Sequence, residues 1–303
     1  MQLTKFAKFS WIVLAWTILV ILWGAVVRAT GSGAGCGSHW PTCNGEILPR
    51  PEAVETFIEL SHRATSGVAM ILVLILLIWA FRAYPKGHLV RKGAVATAVF
   101  ILIEALLGAG LVLLELVGDN DSVHRAIAMA LHLLNTFILL GFMTLTAWWA
   151  SGGKAITRQG KGNWPLWFIL GLLGVCIIGM TGAVTALGDT LFPPESLAEG
   201  LSRESDPNIH FLVQLRIVHP VVAVFVGLYT LALLRNLLSQ PQTQRIRRFA
   251  LALGALVLIQ WVAGLINVIL LAPIWMQILH LFLADVLWIV YVLLAANVLA
   301  VED

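Results

Sequence analysis

Charge is what this chain has least of. Its 16 acidic and 19 basic side chains make up 12% of 303 residues, while 59% are hydrophobic and the mean hydropathy is +0.91. A soluble domain carries about twice that share of charge, so that class is excluded. A net charge of only +3 gives no support for nucleic-acid binding. Cysteine is also scarce, with three in the chain. Two of them, Cys36 and Cys43, stand in "GAGCGSHWPTCNG" (33–45) with only His39 close by, too few ligands for a strong zinc site. The first apolar run has no clear small-residue cleavage site, so it reads as a first span and not as a cleaved signal.

What is present is apolar length. Eight runs, at 11–29, 58–80, 94–116, 125–149, 164–186, 210–234, 249–271 and 274–299, are each long enough to cross a hydrocarbon core. Backbone in lipid must satisfy itself, so an all-α integral membrane protein of eight transmembrane helices is expected. Eight spans put both termini on one side. That side holds Lys5, Lys8, Arg82, Lys86, Arg91, Lys92, Lys154, Arg158, Lys161, Arg235, Arg245, Arg247 and Arg248, which are 13 of the 19 basic residues. The other face holds most of the acids: Glu46, Glu52, Glu55, Asp119, Asp121, Glu195, Glu199, Glu204 and Asp206. The positive-inside rule then makes both termini cytoplasmic and the cysteine loop extracytoplasmic. Disulfides persist outside the cytoplasm, which makes a disulfide the default for Cys36 and Cys43. Cys176, inside span five, reads as a small buried apolar residue.

The chain also repeats. "GAVVRATG" (24–31) ends span one and "GAVTALG" (182–188) ends span five. "LIEALLGAGLVL" (102–113) matches "LIQWVAGLINVI" (258–269), placing Glu104 opposite Gln260 and Gly108 opposite Gly264. "LHLLNTFILL" (131–140) matches "LHLFLADVLWIV" (279–290), and "ELSHRATSGVAMILVL" in span two matches "RIVHPVVAVFVGLYTL" in span six. Two repeated four-helix bundles of parallel topology follow, residues 1–150 and 164–303, joined by a basic cytoplasmic linker at 151–163.

The repeat singles out His62, His132, His219 and His280, one on each even-numbered span and all in the outer half of the membrane. Any one such histidine has a plain competing role in an interhelical hydrogen bond. Four in register fit two haems, each held from both axial sides by histidines on separate helices. His124 competes with His132, and only the repeat favours His132. His124 and His210 begin spans and read as interfacial anchors. His88 reads as a solvated loop residue, and His39 has no assigned role.

The halves differ three residues before the first histidine of each. Glu59 precedes His62 and Arg216 precedes His219, each on the same helix face as its histidine. A carboxylate beside a haem handles protons or stabilises developing positive charge. An arginine there pairs with a propionate. Chemistry in the first half and electron transfer in the second are expected. The competing role for Glu59 is an acid at headgroup level, paired with Arg63. Arg28, Arg63 and Arg125 are further propionate or charge partners. Glu104 and Asp285 lie deeper, where charge is costly and points either to function or to a hydrogen-bonded structural group.

Together, "GAVVRATGSGAGCGSHWPTCNG" (24–45), "ELSHR" (59–63) and the histidines of spans four, six and eight resemble bacterial haem A synthases along the whole chain. The resemblance implies an enzyme of the bacterial cytoplasmic membrane that oxidises the C8 methyl of haem O to a formyl group by successive hydroxylations, giving haem A for cytochrome oxidases. It implies substrate haem between His62 and His132, haem b between His219 and His280, Glu59 as the essential acid, and an extracytoplasmic Cys36–Cys43 disulfide. It admits haem O synthase as the supplier of haem O, an electron acceptor not named, and a homo-oligomer. Many relatives carry Cys-Pro-x-Trp-Pro where this chain has Cys36-Gly37-Ser38-His39-Trp40-Pro41. Two other classes fit the apolar pattern: a dihaem quinol oxidoreductase or electron-transfer protein, and a repeat-built transporter without haem.

Overall fold

Polar side chains set where the helices begin. The Thr4, Ser122 and Thr243 hydroxyls accept from the N–H groups of Ala7, Arg125 and Ile246, opening α1 (Lys5–Ala29), α4 (Val123–Ala150) and α9 (Gln244–Ile269). His88 opens α3 (Leu89–Leu113): its Nδ1 accepts from Val90 N–H at 3.2 Å and its ring lies 4.6 Å from that of Tyr84. It is therefore a half-buried helix cap and more than a solvated loop residue. Pro165 sits at the start of α5 (Trp164–Leu191), where its missing N–H costs nothing. The remaining long helices are α2 (Val54–Ala83) and α10 (Ile274–Val298). The computed structural model describes residues 3–47, 50, 53–204 and 206–301; Glu52, one of the acids assigned to the outer face, lies outside them.

The sixth span is made of two helices, α7 (Phe211–Gln214) and α8 (Val218–Leu238), joined through a 3-10 turn at Leu215–Ile217. Pro220 explains the join, because it has no N–H to offer the Arg216 carbonyl one turn back. An eight-residue helix, α6 (Leu197–Glu204), precedes it. Among the described residues, eight helical spans are long and apolar enough to cross a membrane, and no named strand is present. The protein is an all-helical, multi-pass membrane protein.

Two expected spans end early, for the same reason in both halves. α3 stops at Leu113: Glu115 takes φ +54° and Leu116 N–H turns back to the Leu111 carbonyl at 2.8 Å. α9 stops at Ile269: Leu271 takes φ +60° and Ala272 N–H returns to the Asn267 carbonyl at 2.7 Å. Left-handed residues that close a helix in this way are usually glycine. Their use at matched positions by Glu115 and Leu271 shows the repeat in the backbone itself.

α1 to α4 pack in sequence and α4 returns to α1; α5, α8, α9 and α10 do the same, with α10 against α5. The two sets meet through α1, α4, α5 and α10. At that seam Phe137 stacks on Trp288 with ring centroids 5.2 Å apart, and its ring edge fills the space over Gly179. The outward faces of α2 and α9 expose Ile71, Ile75, Leu258, Val262 and Leu265, as a lipid-facing surface requires. Lipid is as apolar as these side chains, so close packing carries the association of the helices. A methyl group at Gly179 would lie 2.5 Å from Phe137 Cε2. Gly179→Ala is therefore expected to cost about 1–3 kcal/mol, read as a lowered unfolding midpoint in detergent.

Candidate functional site

Each of the four histidines rests on a glycine of the preceding odd-numbered span. A methyl on Gly24 of α1 would lie 2.9 Å from His62 Cε1, and one on Gly182 of α5 would lie 3.0 Å from His219 Cε1. The matched contacts of Gly108 with His132 and Gly264 with His280 are 3.9 and 3.4 Å. At Gly24 and Gly182 the missing side chain makes room for the imidazole; at Gly108 and Gly264 a methyl would reach ordinary contact with it. His124, by contrast, is exposed in the first turn of α4. His62 and His132 lie within electrostatic reach of one another. The His219 and His280 rings are 6.3 Å apart, centroid to centroid, at 86°.

That separation fits one metal atom between two imidazoles. Bonds of about 2 Å from each nitrogen to a first-row metal place the ring centroids about 6 Å apart. His62, His132 and His280 each have a buried Nδ1 with no hydrogen-bond partner, while His219 Nδ1 lies 3.2 Å from the Ile178 carbonyl oxygen and 3.3 Å from Thr181 Oγ1. Among the described residues no three His, Cys, Asp or Glu side chains gather into a compact metal site. His219 and His280 form a facing pair, a pattern that suits haem better than tetrahedral zinc.

Above the first pair sits the cysteine loop. Cys36 and Cys43 form a disulfide, with Cα atoms 4.4 Å apart. Glu59 is 3% exposed, so it is not an acid lying free at headgroup level. Its Oε2 accepts the Cys36 N–H at 2.8 Å, and its Oε1 takes Arg63 Nε at 3.1 Å and Nη2 at 2.5 Å. The same guanidinium donates from Nη1 to the carbonyls of His39 and Thr42, both at 2.6 Å. Glu59 and Arg63 thus fasten the disulfide loop to α2. His39 contributes a carbonyl, and its ring is exposed.

The matched residue in the second half does the same with opposite charge. Arg216, 5% exposed, donates from Nη2 to the carbonyls of Gly188 (2.8 Å) and Phe192 (2.7 Å), while Nε lies 3.0 Å from Asp189 Oδ1. Asp189 was not marked out by the sequence, because the expected span ended at 186 and the repeat offers it no counterpart; α5 in fact runs to Leu191. Arg28 crosses to the second half, donating to the Ala186 carbonyl, Thr190 Oγ1 and Gln277 Oε1, all at 2.7 Å. Arg125 donates to the carbonyls of Gly118 and Asn120. The hydrogen bonds of Arg28 and Arg125 thus go to neutral acceptors, and Asp189 and Asp119 are the opposing charges near them. His210 caps α7, stacks on Phe192 and lies 3.3 Å from Asp121 Oδ2, an anchoring role.

The two deep acids differ. Glu104 accepts from Asn135 Nδ2 at 2.6 Å and Thr136 Oγ1 at 2.5 Å, and its Oε1 lies 3.5 Å from His132 Nδ1. Asp285 is fully buried in α10 with neither oxygen hydrogen-bonded.

Fold and site together define a polytopic membrane protein with eight candidate spans among the described residues and four histidines set against glycines at matched positions. The chain belongs to the COX15-CtaA family, described as cytochrome oxidase assembly protein, which it matches over residues 7–292. It is 52% identical over 299 residues to a Thermus thermophilus protein named protoheme IX farnesyltransferase, covering 98% of this chain but 49% of that protein. The chain thus spans about half the length of the Thermus relatives it matches. A heme A synthase of Exiguobacterium sibiricum is 32% identical over 232 residues, 75% of this chain and 73% of that protein. A heme A synthase of Bacillus cereus is 42% identical over 112 residues, 37% and 36% of the two chains.

Two outcomes follow for the loop. In oxidised membranes Cys36 and Cys43 are expected to resist maleimide until a reductant is added, and buried Cys176 to resist throughout. Arg63→Ala strands the buried Glu59 charge, at a cost of about 3–5 kcal/mol. Hydrogen exchange at the Cys36 amide, which Glu59 holds, is expected to quicken by about 100-fold.

Proposed function

We propose that this chain acts as a haem A synthase, oxidising the C8 methyl of haem O stepwise, through an alcohol and a hydrated aldehyde, to a formyl group. The observation that carries the reading is the paired histidines seated on glycines in both halves, with a buried carboxylate and a disulfide loop over the first pair alone. His62 and His132 hold the substrate in the half formed by residues 1–150. His219 and His280 hold haem b in the half formed by 164–303, with 151–163 as linker. Haem b, when bound, supplies one-electron transfer from the first site toward an acceptor.

The chain's own residues supply position and charge. Glu59 holds negative charge beside the first pair, where it stabilises positive charge that develops on the ring and passes protons. Arg63 holds that carboxylate in place through two hydrogen bonds. The disulfide loop closes the site against bulk water. Arg28, Arg125 and Arg216 are the cations placed to pair with propionates, Arg28 and Arg216 sharing Asp189 between them. The basic side carries both termini in the cytoplasm of a bacterium and leaves the cysteine loop outside its cytoplasmic membrane. Haem O arrives from the bilayer or from a haem O synthase, and a homo-oligomer is compatible with the lipid-facing surface.

The heme A synthase of Exiguobacterium aligns over most of its own length, which favours this reading. The Thermus proteins are about twice as long as the shared region, so their name does not decide the chemistry of the part that matches. The test is the profile of haems extracted from membranes that contain this protein and are supplied with haem O. Wild type is expected to yield haem A. Glu59→Gln, which keeps an acceptor for the Cys36 N–H, is expected to lower that yield about 10²–10⁴-fold and to accumulate haem O or its alcohol. Unchanged haem O and haem b with folded wild-type protein overturns the synthase in favour of an electron-transfer protein.

A further inference from the structure

The two histidine pairs are alike in placement and unlike in what stands behind them. Behind His132 is a carboxylate: Glu104 Oε1 lies 3.5 Å from the ring Nδ1, which has no hydrogen-bond partner. That carboxylate is itself fixed. Asn135 Nδ2 donates to Oε2 at 2.6 Å and also to the Phe100 carbonyl at 2.9 Å; Thr136 Oγ1 lies 2.5 Å from Oε1 and 2.9 Å from the His132 carbonyl oxygen. Both donors lie within one turn of His132 on α4, so histidine and carboxylate are held by the same piece of helix.

None of this is repeated in the second half. Gln260 stands in the place of Glu104, and Leu283 and Ala284 stand in the places of Asn135 and Thr136. Gln260 Nε2 donates to the His280 carbonyl at 3.2 Å, and its own Oε1, like His280 Nδ1, has no partner. In the second half it is the other histidine, His219, whose Nδ1 meets protein oxygen, and that oxygen belongs to neutral groups.

We propose that Glu104 is a positioning residue for the first site: it accepts the Nδ1–H of His132, turns Nε2 toward the iron and strengthens it as an axial donor, so that the first-half haem is held in its oxidised form more firmly than a neutral partner would allow. The inference rests on the proposed placement of haem between His62 and His132. The 3.5 Å separation is longer than a hydrogen bond, so the proposed contact includes a turn of the imidazole toward Glu104 when haem is held. A carboxylate behind a metal-bound histidine fixes its tautomer and raises its basicity. The donor charge favours ferric over ferrous iron and lowers the reduction potential of that site. The first half is thereby matched to giving up electrons and the second, with its neutral groups, to receiving them.

The test uses the full chain carrying His219→Ala and His280→Ala, loaded with haem b, so that one haem is titrated. Glu104→Gln keeps the size and the hydrogen bonds to Asn135 and Thr136 but removes the charge. It is expected to weaken ferric binding relative to ferrous by about tenfold, an upward shift of about 59 mV for a one-electron couple, and to alter the low-spin ferric signature. Glu104→Asp keeps the charge and is expected to restore most of the original potential. If Gln leaves the potential unmoved, or if Asp and Gln shift it alike, Glu104 does not act through its charge and the inference fails. If Glu104→Gln loses haem altogether, retention by Asp supports the inference and loss by both variants overturns it. If the parent protein binds haem b no better than one that also lacks His62 and His132, the haem placement itself is wrong, a result that the Glu104 variants alone do not give.

Discussion

A histidine reaches a shared centre between transmembrane helices only where a neighbouring helix gives up a side chain. Four times in this chain a glycine does so, and each glycine precedes its histidine by one span. The rest of the site depends on that contact. It sets which face of each even-numbered span turns inward, and it fixes the depth at which the imidazoles meet. It also explains why small residues sit at Gly24, Gly108, Gly182 and Gly264 when the surrounding helices are built from Leu, Ile and Val. In lipid such close approach is also the main source of helix association, so the feature that opens the site helps to hold the bundle together.

Around that symmetric frame the charges are distributed without symmetry. Glu59 and Arg216 occupy matched positions and both fasten the chain segment that follows an odd-numbered span. One accepts a backbone N–H and the other donates to carbonyls. The mechanical task is shared while the electrostatic sign is reversed. Glu104 and Gln260 repeat the contrast one layer deeper. The first half thus has carboxylates at the two positions, one of them 3.5 Å from His132, where the second half has a cation and an amide. Duplicated geometry with opposed charge is a direct way to give two similar cofactor sites different electron affinities, because buried charges act through a low dielectric.

The sequence made the spans legible because the bilayer imposes a length and a composition on every crossing helix. The repeat distinguished His132 from its neighbour His124, and the structure sets His132 against Gly108 while leaving His124 exposed. Helix ends were less so. Glu115 and Leu271 adopt a left-handed backbone that neither residue type signals, so α3 and α9 stop short of their apolar runs. The partners of the arginines were not legible at all. Arg28 spends its donors on Ala186, Thr190 and Gln277, far away in the chain, and Asp189 lay past the expected end of its span. Such pairs depend on how the two halves meet, which is set by packing at Phe137, Gly179 and Trp288 and not by any local pattern.

That seam ties the two sites together. Arg28 leaves α1 in the first half and hydrogen-bonds to Ala186 and Thr190 of α5 and Gln277 of α10 in the second, on either side of Asp189, which itself meets Arg216. A charge that changes at one site is therefore felt across a short chain of fixed donors and acceptors. Glu59 joins the disulfide loop to the first site in the same way, through Arg63 and the Cys36 amide. The loop cannot move without breaking the hydrogen bonds that Glu59 and Arg63 make to it. The loop's position is thus set by a single buried ion pair on α2, whose Glu59 lies one turn ahead of His62.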